Sequence, residues 1–321
     1  MSLSSGTPFE ICRQDTSWAP ISGWSEQEKG CERLPLQRRI RARHCHRVPL
    51  SKITLRRLLH GFSPHTNLPT AVASDMPTLR AVLFLIFQIV SLCIWASLTI
   101  LIGPFLPYHP RYRFAMTWCR MMMWASRTIL GIRAKVIGTE NLPDGPAIIL
   151  SKHESAWETM FYPAYFQRDL CFVFKRELLW IPFFGWGITL LRMVAINRSQ
   201  GNEAFQQVLD QGRDVLHQQG RWMVFFPEGT RVLPGHHRRY KTGGARLAIA
   251  TNTPIIPIAM NSGDLWPRKS FLKKPGLITV SIGPTLLPDG EDPTTLTAKV
   301  ESWIEQEMRR ISPGRPGKAH Q

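Results

Sequence analysis

An uncharged apolar run at residues 81–102 constrains the fold of this chain more than any other feature of its sequence. The run reads AVLFLIFQIVSLCIWASLTILI, and a helix of this length spans about 33 Å, comparable to the hydrocarbon core of a bilayer. A soluble protein would have to enclose such a helix on every face. A cleavable signal peptide has a shorter apolar core that is followed by small residues. The run therefore predicts a membrane-inserted helix.

The segments on either side of this run leave its topology open. Pro104 and Pro107 end the helix, and residues 114–132 are rich in Met and Trp but are interrupted by Arg120 and Arg127. This second stretch is typical of an interfacial helix. Arginines flank the first run on both sides, so the positive-inside rule does not assign an orientation. A full crossing and a helical hairpin that enters from the cytoplasmic face both fit the pattern.

Residues 1–75 differ from the rest of the chain. They contain an Arg- and His-rich cluster at residues 38–47 and no sustained hydrophobic period, so a basic, disordered tail is predicted. The net charge of +17 suits nucleic acid, an anionic membrane or a phosphorylated substrate. Because the basic residues are not interleaved with aromatic ones, no nucleic-acid partner is expected. A second hypothesis is that translation begins at Met76 and that residues 1–75 do not belong to the natural protein.

After residue 133 the pattern is that of an α/β domain. Five short apolar runs predict buried strands, at residues 147–150, 171–174, 193–196, 222–226 and 255–260. Amphipathic stretches between them, such as residues 203–218, predict helices on both faces of a mixed sheet. The predicted order is a tail at 1–75, membrane-anchoring helix or hairpin at 76–132, α/β catalytic domain at 133–311 and flexible tail at 312–321.

No metal or nucleotide cofactor is expected from the sequence. The six cysteines are scattered without a C-x-x-C pair, and neither G-x-G-x-x-G nor G-x4-G-K-[ST] occurs. Gly185 and Gly187 are interpreted as turn formers. His153-Glu154 does not begin a zinc-protease H-E-x-x-H helix, because Trp157 occupies the position of the second His.

A histidine and a carboxylate follow the first predicted strand at a spacing of five. On an ideal helix, five residues turn about 140° net, so His153 and Glu158 would not share a face. We therefore expect His153 in the loop and Glu158 in the first helical turn, where it can hold one imidazole nitrogen while the other removes a proton from a hydroxyl. Taken alone, this spacing is more typical of a surface histidine beside an unrelated acid.

A second segment, residues 225–231, adds weight to a site. It reads FFPEGTR and places a turn, a glycine and Arg231 directly after a buried strand, where the loops of α/β sheets carry ligands. An arginine in such a loop suits a phosphate through paired hydrogen bonds.

With these motifs in order, the chain resembles the glycerolipid acyltransferase family that includes the 1-acylglycerol-3-phosphate acyltransferases. Four blocks over residues 79–285 support the resemblance: the His-x4-acid block at 153–158, KREL through PFFG to AINR at 175–198, FPEGTR at 226–231, and TPIIPI at 253–258. Two positions depart from the usual pattern, which has Asp in place of Glu158 and Asn in place of Lys152. Lys152 is expected either to add positive charge near the site or to point to solvent.

The resemblance implies a direct transfer of an acyl group. His153 would act as general base on the free hydroxyl of a lysolipid, Glu158 would orient His153, and acyl-CoA or acyl-carrier protein would supply the thioester. Basic residues of the second and third blocks would bind the phosphate of lysophosphatidic acid, while Glu228 and Gly229 would shape the site. The implied substrate-binding residues are Lys175, Arg198, Glu228, Gly229, Thr230 and Arg231, with Lys241 as a further basic candidate.

The expected product is phosphatidic acid for phospholipid biosynthesis, made on the cytoplasmic side of a membrane, the inner membrane if the chain is bacterial. Two alternatives stay open: an acyltransferase acting on another lysolipid, and a non-catalytic basic protein that binds membrane lipids.

Overall fold

Two helices precede the sheet in the computed structural model, which describes residues 71–197 and 200–315. Their bounds are Ala71–Ile102 for α1 and Tyr108–Thr128 for α2, with a 3-10 turn at Gly103–Phe105 between them. Both predicted helix-breaking prolines fall in this connection, where a residue without a backbone N–H cannot continue the helix. The Arg- and His-rich cluster at residues 38–47 and the rest of residues 1–70 lie outside the described residues.

α1 exposes much of its apolar surface. Ile86, Val90 and Ile94 are each more than half exposed. The opposite face buries Ala81 and Phe84, and the Phe84 ring meets Trp266 edge-on at 5.2 Å. Among the described helices, one stretch, Met76–Phe105, is long and apolar enough to cross a membrane by length and composition.

α2 differs from α1 because its polar and apolar residues separate into two faces. Met116, Cys119 and Met123 are buried, whereas Arg120 and Arg127 are exposed. The buried face packs against α1 and against the first helix of the following domain. α2 is therefore an amphipathic helix, as the two arginines predicted, and its placement at a membrane interface stays a prediction.

Seven strands form one mixed sheet in the order β1-β7-β6-β2-β5-β3-β4. All pairs are parallel except β6 with β7. The strands are β1 Ile132–Ile137, β2 Ile148–Ser151, β3 Leu170–Lys175, β4 Val194–Ile196, β5 Trp222–Phe225, β6 Ile255–Met260 and β7 Gly276–Ile282. All five predicted strands are present, and β1 and β7 are additional.

Helices cover both faces of the sheet, as predicted. They are α3 Trp157–Tyr165, α4 Phe184–Leu190, α5 Asn202–Arg213, α6 Gly243–Thr251, α7 Ser262–Leu265 and α8 Pro293–Ile311, with a 3-10 turn at Arg176–Trp180 and a π-helical turn at Asp214–Gln218. Successive residues of a strand point to opposite faces. Ile149 and Val224 accordingly pack with α2 and α3, whereas Ile148 and Met223 pack with α5, α6 and α8.

The register of the central strands brings two motif-bearing loops together. Leu150 of β2 pairs with Phe225 of β5, so the loops that follow these parallel strands leave the same edge of the sheet. One loop carries His153 and the other carries the segment 226–231. The fold thus joins at one place two motifs that lie about 75 residues apart in the sequence.

Candidate active site

His153 and Glu158 meet at the carboxyl end of β2. His153 lies in the loop after this strand, and Glu158 lies in the first turn of α3. Imidazole Nδ1 and carboxylate Oε2 are 2.5 Å apart, so the predicted contact between the two side chains is present. Because a carboxylate accepts, Nδ1 carries the proton of this bond, and in the neutral imidazole Nε2 then keeps its lone pair. Such an imidazole can take up a proton at Nε2.

The second oxygen of Glu158 is fixed by three donors. Oε1 accepts hydrogen bonds from the backbone N–H groups of Glu154 and Ser155, each at 2.8 Å, and from Ser262 Oγ at 2.5 Å. Glu158 is fully buried, so water does not compete for these bonds. The side chain, one methylene longer than the usual aspartate, therefore reaches His153 with its carboxylate held at both oxygens.

The segment 226–231 forms the other side of the histidine. The Phe226 ring stacks on the His153 imidazole, with ring centroids 3.8 Å apart and planes 19° apart. Val232 N–H donates to the His153 carbonyl at 2.8 Å. In the described part of the chain Nε2 has no hydrogen-bond partner, and His153 lines a large cavity. The ring is thus fixed through Nδ1 and one face, with Nε2 available to a ligand.

Glu228 supports the backbone of the same loop. This fully buried carboxylate accepts the His153 N–H at 2.7 Å. Burial raises its pKa to about 8, although the Lys152 ammonium opposes the shift. Gly229 follows with a φ of 70°, and a Cβ there would meet the Lys241 side chain at 3.3 Å. The turn accordingly requires glycine for its conformation and leaves little space for a side chain.

Lys152 does not point to solvent, which corrects one of the two expectations for this residue. Its ammonium lies 2.8 Å from Glu228 Oε1 and 2.7 Å from Glu305 Oε1, and its side chain is 2% exposed. Burial lowers the pKa of Lys152, but the two carboxylates outweigh burial and raise it overall. Tyr240 Oη also donates to Glu305, at 3.0 Å. Lys152 thus lies behind the histidine loop as the centre of a buried ionic cluster.

Arg231 and Thr230, two of the predicted substrate-binding residues, line the cavity. Burial lowers the pKa of the Arg231 guanidinium. Arg268, which also lines the cavity, donates from Nη1 to the Arg231 carbonyl at 2.8 Å. The structure thus adds a second arginine that no sequence motif had marked.

Lys175 and Lys241 contribute two more ammonium groups to the cavity wall. Lys175 ends β3 and forms an exposed ion pair with Glu177 at 2.8 Å. Lys241 is placed by its backbone N–H, which donates to the Pro227 carbonyl at 2.9 Å. Arg198, the remaining predicted basic residue, lies outside the described residues.

The cavity has a volume of about 810 Å³ and is lined by both basic and apolar residues. Lys175, Arg231, Lys241 and Arg268 supply positive charge to its lining. Apolar side chains of α1, α2, α3, β3 and α4 make up most of the remainder, among them Leu92, Trp95, Met116, Met160, Phe172 and Ile188. This arrangement suits an amphiphile with an anionic head and a long apolar tail.

Ser262, Glu305 and Arg315 are parts of the site region that sequence analysis missed. Each follows the His153 motif by more than 100 residues and contacts it or its neighbours only through the fold. No local spacing marks such residues. Within residues 71–197 and 200–315 no group of three or more His, Cys, Asp or Glu could hold a metal ion, and no metal site is assigned.

Comparison with known proteins places this geometry in context. The sequence profile described as acyltransferase matches residues 133–261. A Pseudomonas aeruginosa protein named 1-acyl-sn-glycerol-3-phosphate acyltransferase is 43% identical over 244 residues, which cover 75% of this chain and 94% of the relative. A Mus musculus protein named 1-acyl-sn-glycerol-3-phosphate acyltransferase alpha is 29% identical over 57% of this chain and 65% of the relative.

A solved structure shares the fold. The crystal structure of the 1-acyl-sn-glycerophosphate (LPA) acyltransferase PlsC from Thermotoga maritima superposes with a TM-score of 0.61 at 21% identity. The alignment covers 75% of this chain and 100% of that chain. This agreement supports the arrangement of helices and mixed sheet described above.

Proposed function

The chain belongs to the acyltransferase family that includes the 1-acyl-sn-glycerol-3-phosphate acyltransferases, and from that premise we propose that it acylates the sn-2 hydroxyl of 1-acyl-sn-glycerol 3-phosphate. The product is phosphatidic acid, an intermediate for phospholipid biosynthesis. The observation that carries the proposal is His153, held through Nδ1 by Glu158, with Nε2 available at a basic and apolar cavity.

In the proposed reaction His153 Nε2 removes the proton from the acceptor hydroxyl as its oxygen attacks the thioester carbonyl carbon. A C–O bond forms, the C–S bond breaks, and the departing thiolate takes the proton from the imidazolium. The products are an ester and a free thiol, and no covalent acyl-enzyme is needed. Glu158 keeps the imidazole in the required tautomer and stabilises the imidazolium while it exists.

We expect the basic lining residues of the cavity to bind the head of the acceptor and the apolar lining residues to bind its acyl chain. Lys175, Arg231, Lys241 and Arg268 supply guanidinium and ammonium donors for the phosphate. The apolar wall between α1 and α2 accommodates acyl chains. The donor is acyl-CoA or acyl-carrier protein, and no cofactor takes part in the step.

Membrane association follows from the surface of the same region. The exposed apolar residues of α1 suit contact with lipid, and Trp180 and Trp186, beside the cavity, are 83% and 54% exposed. Aromatic residues at such positions favour the bilayer interface. We place α1 in the membrane and the catalytic domain on the cytoplasmic side, where thioester donors are made, so the lysolipid reaches the cavity from the bilayer.

The decisive assay measures acyl transfer by the detergent-purified protein to oleoyl-lysophosphatidic acid, with acyl-CoA and acyl-carrier protein tested separately. His153→Ala should reduce turnover by roughly 10²- to 10⁴-fold, because the general base is lost. His109→Ala is the matched control, because it also removes a His–carboxylate pair, in which His109 Nδ1 lies 2.8 Å from Asp169 Oδ2. Neither His109 nor Asp169 lines the cavity.

Each alternative has its own outcome in this assay. Product from other lysolipids, but none from lysophosphatidic acid, would change the acceptor and keep the reaction. If the parent acylates no lysolipid, and both the parent and His153→Ala still bind lipid, the result would support the alternative of a non-catalytic membrane-binding protein.

A further inference from the structure

The two residues that flank His153 in the sequence are both charged and both buried. Lys152 is 1% exposed and Glu154 is fully buried. Burial of an ion is costly unless a partner of opposite charge contacts it. Each of these side chains has a charged partner from the last part of the described chain: Glu305 for Lys152, beside Glu228, and Arg315 for Glu154.

Arg315 makes a bidentate contact with Glu154. Its Nη1 and Nη2 donate to the two carboxylate oxygens at 2.7 and 2.9 Å. Its Nε donates to Asp264 Oδ1 at 2.9 Å, and Ser312 Oγ donates to the other oxygen of Asp264 at the same distance. The guanidinium thus ties the histidine loop to the segment after β6. The sequence predicts a flexible tail from residue 312, so the ordered contact of Arg315 differs from that expectation.

α8 is held in place by an N-terminal cap and by packing in the core. Asp292 caps its first turn by accepting from the backbone N–H groups of Thr294 and Thr295. Val300, Ile304 and Met308 are buried in the core beneath the sheet. Glu305 lies on the helix itself, and Arg315 lies four residues beyond its last residue. A displacement of α8 would therefore reach Lys152 and Glu154 together.

We propose that Glu305 and Arg315 are positioning residues, which hold Lys152 and Glu154 from behind and thereby fix the backbone of His153. Lys152 also contacts Glu228, and the Glu228 carboxylate accepts the His153 N–H, so the position of Lys152 affects the backbone of His153. Glu154 donates its own N–H to Glu158, so the position of Glu154 bears on the carboxylate that orients the imidazole. Both residues lie beyond the part of the chain that carries the family motifs.

The effect on turnover rests on the proposed function, so the experiment needs a second readout that does not depend on catalysis. Diethyl pyrocarbonate modifies accessible imidazole nitrogens. Trypsin releases His153 in the peptide 153–168, which contains no other histidine. Mass spectrometry of this peptide therefore reports the modification rate of His153 alone in the intact, folded protein.

The variants are Arg315→Gln, Arg315→Lys, Glu305→Gln and the double variant Glu154→Gln with Arg315→Gln. The control is Arg310→Gln, which removes an arginine whose ion pair with Glu307 is on the exposed side of α8. Arg315→Gln should lower kcat about 10-fold with little change in the KM for lysophosphatidic acid, because the base is misplaced while the cavity is kept. Its His153 peptide should be modified faster than that of the parent.

Rescue separates positioning from general stability. The double variant should recover much of the activity lost in Arg315→Gln, because it no longer leaves a buried carboxylate unpaired. The activity of Arg315→Lys should lie between those of the parent and Arg315→Gln, since a lysine keeps the charge but not the bidentate contact. Glu305→Gln provides an independent test through Lys152 if Arg315→Gln does not fold.

The proposal is overturned if Arg315→Gln and Glu305→Gln match Arg310→Gln in kcat and in the modification rate of His153. It is also overturned if the double variant is no more active than Arg315→Gln. A parent that does not acylate lysophosphatidic acid would refute the proposed function instead. In that case the modification rates alone would still decide whether the end of α8 positions His153.

Discussion

Glu158 shows how a conservative change at one position alters the demands on its neighbours. The carboxylate on this longer side chain contacts His153 Nδ1 through one oxygen, while Glu154, Ser155 and Ser262 hold the other oxygen. The spacing of His153 and Glu158 together with the downstream motifs predicted the pair, whereas no motif marks Ser262, which comes from α7.

Replacement of Glu158 by Asp, the usual family residue, should lower rather than raise activity. The shorter side chain cannot keep its three donors and also contact Nδ1 without a backbone shift. We expect a loss of about 10-fold in kcat and a larger loss for Glu158→Gln, which presents an amide to the imidazole. Ser262→Ala, which removes one donor and keeps the acid, should cost less. An Asp variant as active as the parent would contradict this interpretation.

The charge cluster around Glu228 predicts a pH dependence of stability. Lys152 faces two carboxylates, Glu228 and Glu305, with Glu154 close by, and burial raises the pKa of Glu228 from its ordinary 4.5 to about 8. Between pH 4.5 and about 8, Glu228 is more protonated in the folded protein than in the unfolded chain. The contribution of Glu228 to the free energy of unfolding is therefore complete below pH 4.5 and is lost as the pH rises through about 8.

Thermal unfolding measured across this pH window checks the sign. The unfolding temperature should fall as the pH rises, and the fall should be smaller in Glu228→Gln. Glu307→Gln is the control, because the hydrogen bond from Arg310 lowers the pKa of Glu307 and its titration lies below the window. Equal slopes in Glu228→Gln and in the parent would rule out Glu228 as the titrating group.

At the scale of elements, hydrophobic patterning predicted the five strands whose residues are mostly apolar. It missed β1, which reads IRAKVI, because Arg133 and Lys135 interrupt the run at an edge of the sheet. It also missed β7, whose apolar residues are interrupted by Gly276, Thr279 and Ser281. Both strands depend on pairing with each other, in parallel, over six residue pairs. Such pairing is a long-range property that a local window does not contain.

Gly185 and Gly187, both interpreted from the sequence as turn formers, lie instead within α4, and they differ in what surrounds them. A Cβ on Gly185 would lie 2.1 Å from the backbone carbonyl oxygen of Leu179, whereas a Cβ on Gly187 meets no atom within 4 Å. Gly185→Ala should therefore separate α4 from the preceding 3-10 turn and destabilise the protein by about 1–3 kcal/mol. Gly187→Ala should be close to neutral or slightly stabilising, since it only improves helix propensity.

Chemical denaturation of the two variants tests this contrast. Limited proteolysis at residues 176–190 gives a local readout of the same effect. Equal stability of the two alanine variants would show that the close approach of Gly185 to Leu179 is not required by the fold.

At the scale of the whole molecule, the sequence predicted the residues of the site that lie within its motifs and missed those brought in by the fold. His153, Glu158, Glu228 and Arg231 lie in two short segments that parallel strands place side by side. Arg268 and Arg315 come from the loop after α7 and from the end of the described chain. Their partners are set by the packing of α8 and the β6–β7 pair, which no motif encodes.

The exposed face of α1 predicts where the molecule meets lipid. Ile86→Lys and Ile94→Lys each place a charge on a residue that is 54% exposed, so packing inside the protein should survive. In a bilayer each lysine should cost about 3 kcal/mol. Flotation with phosphatidylglycerol-containing vesicles should show weaker association for both variants. Leu287→Lys, at a residue 56% exposed after β7, is the control. Unchanged flotation would remove α1 from the membrane contact.

The buried cluster of Lys152, Glu228 and Glu305 has an evolutionary consequence. The ammonium at position 152 contacts carboxylates at positions 228 and 305, and loss of the ammonium would leave two carboxylates close together without it. The two positions should therefore change together among relatives, although 153 residues separate them. A consensus redesign that restored Asn at 152 alone would leave Glu228 and Glu305 facing each other without a counter-ion. We therefore expect the effects of substitutions at positions 152 and 305 to be non-additive.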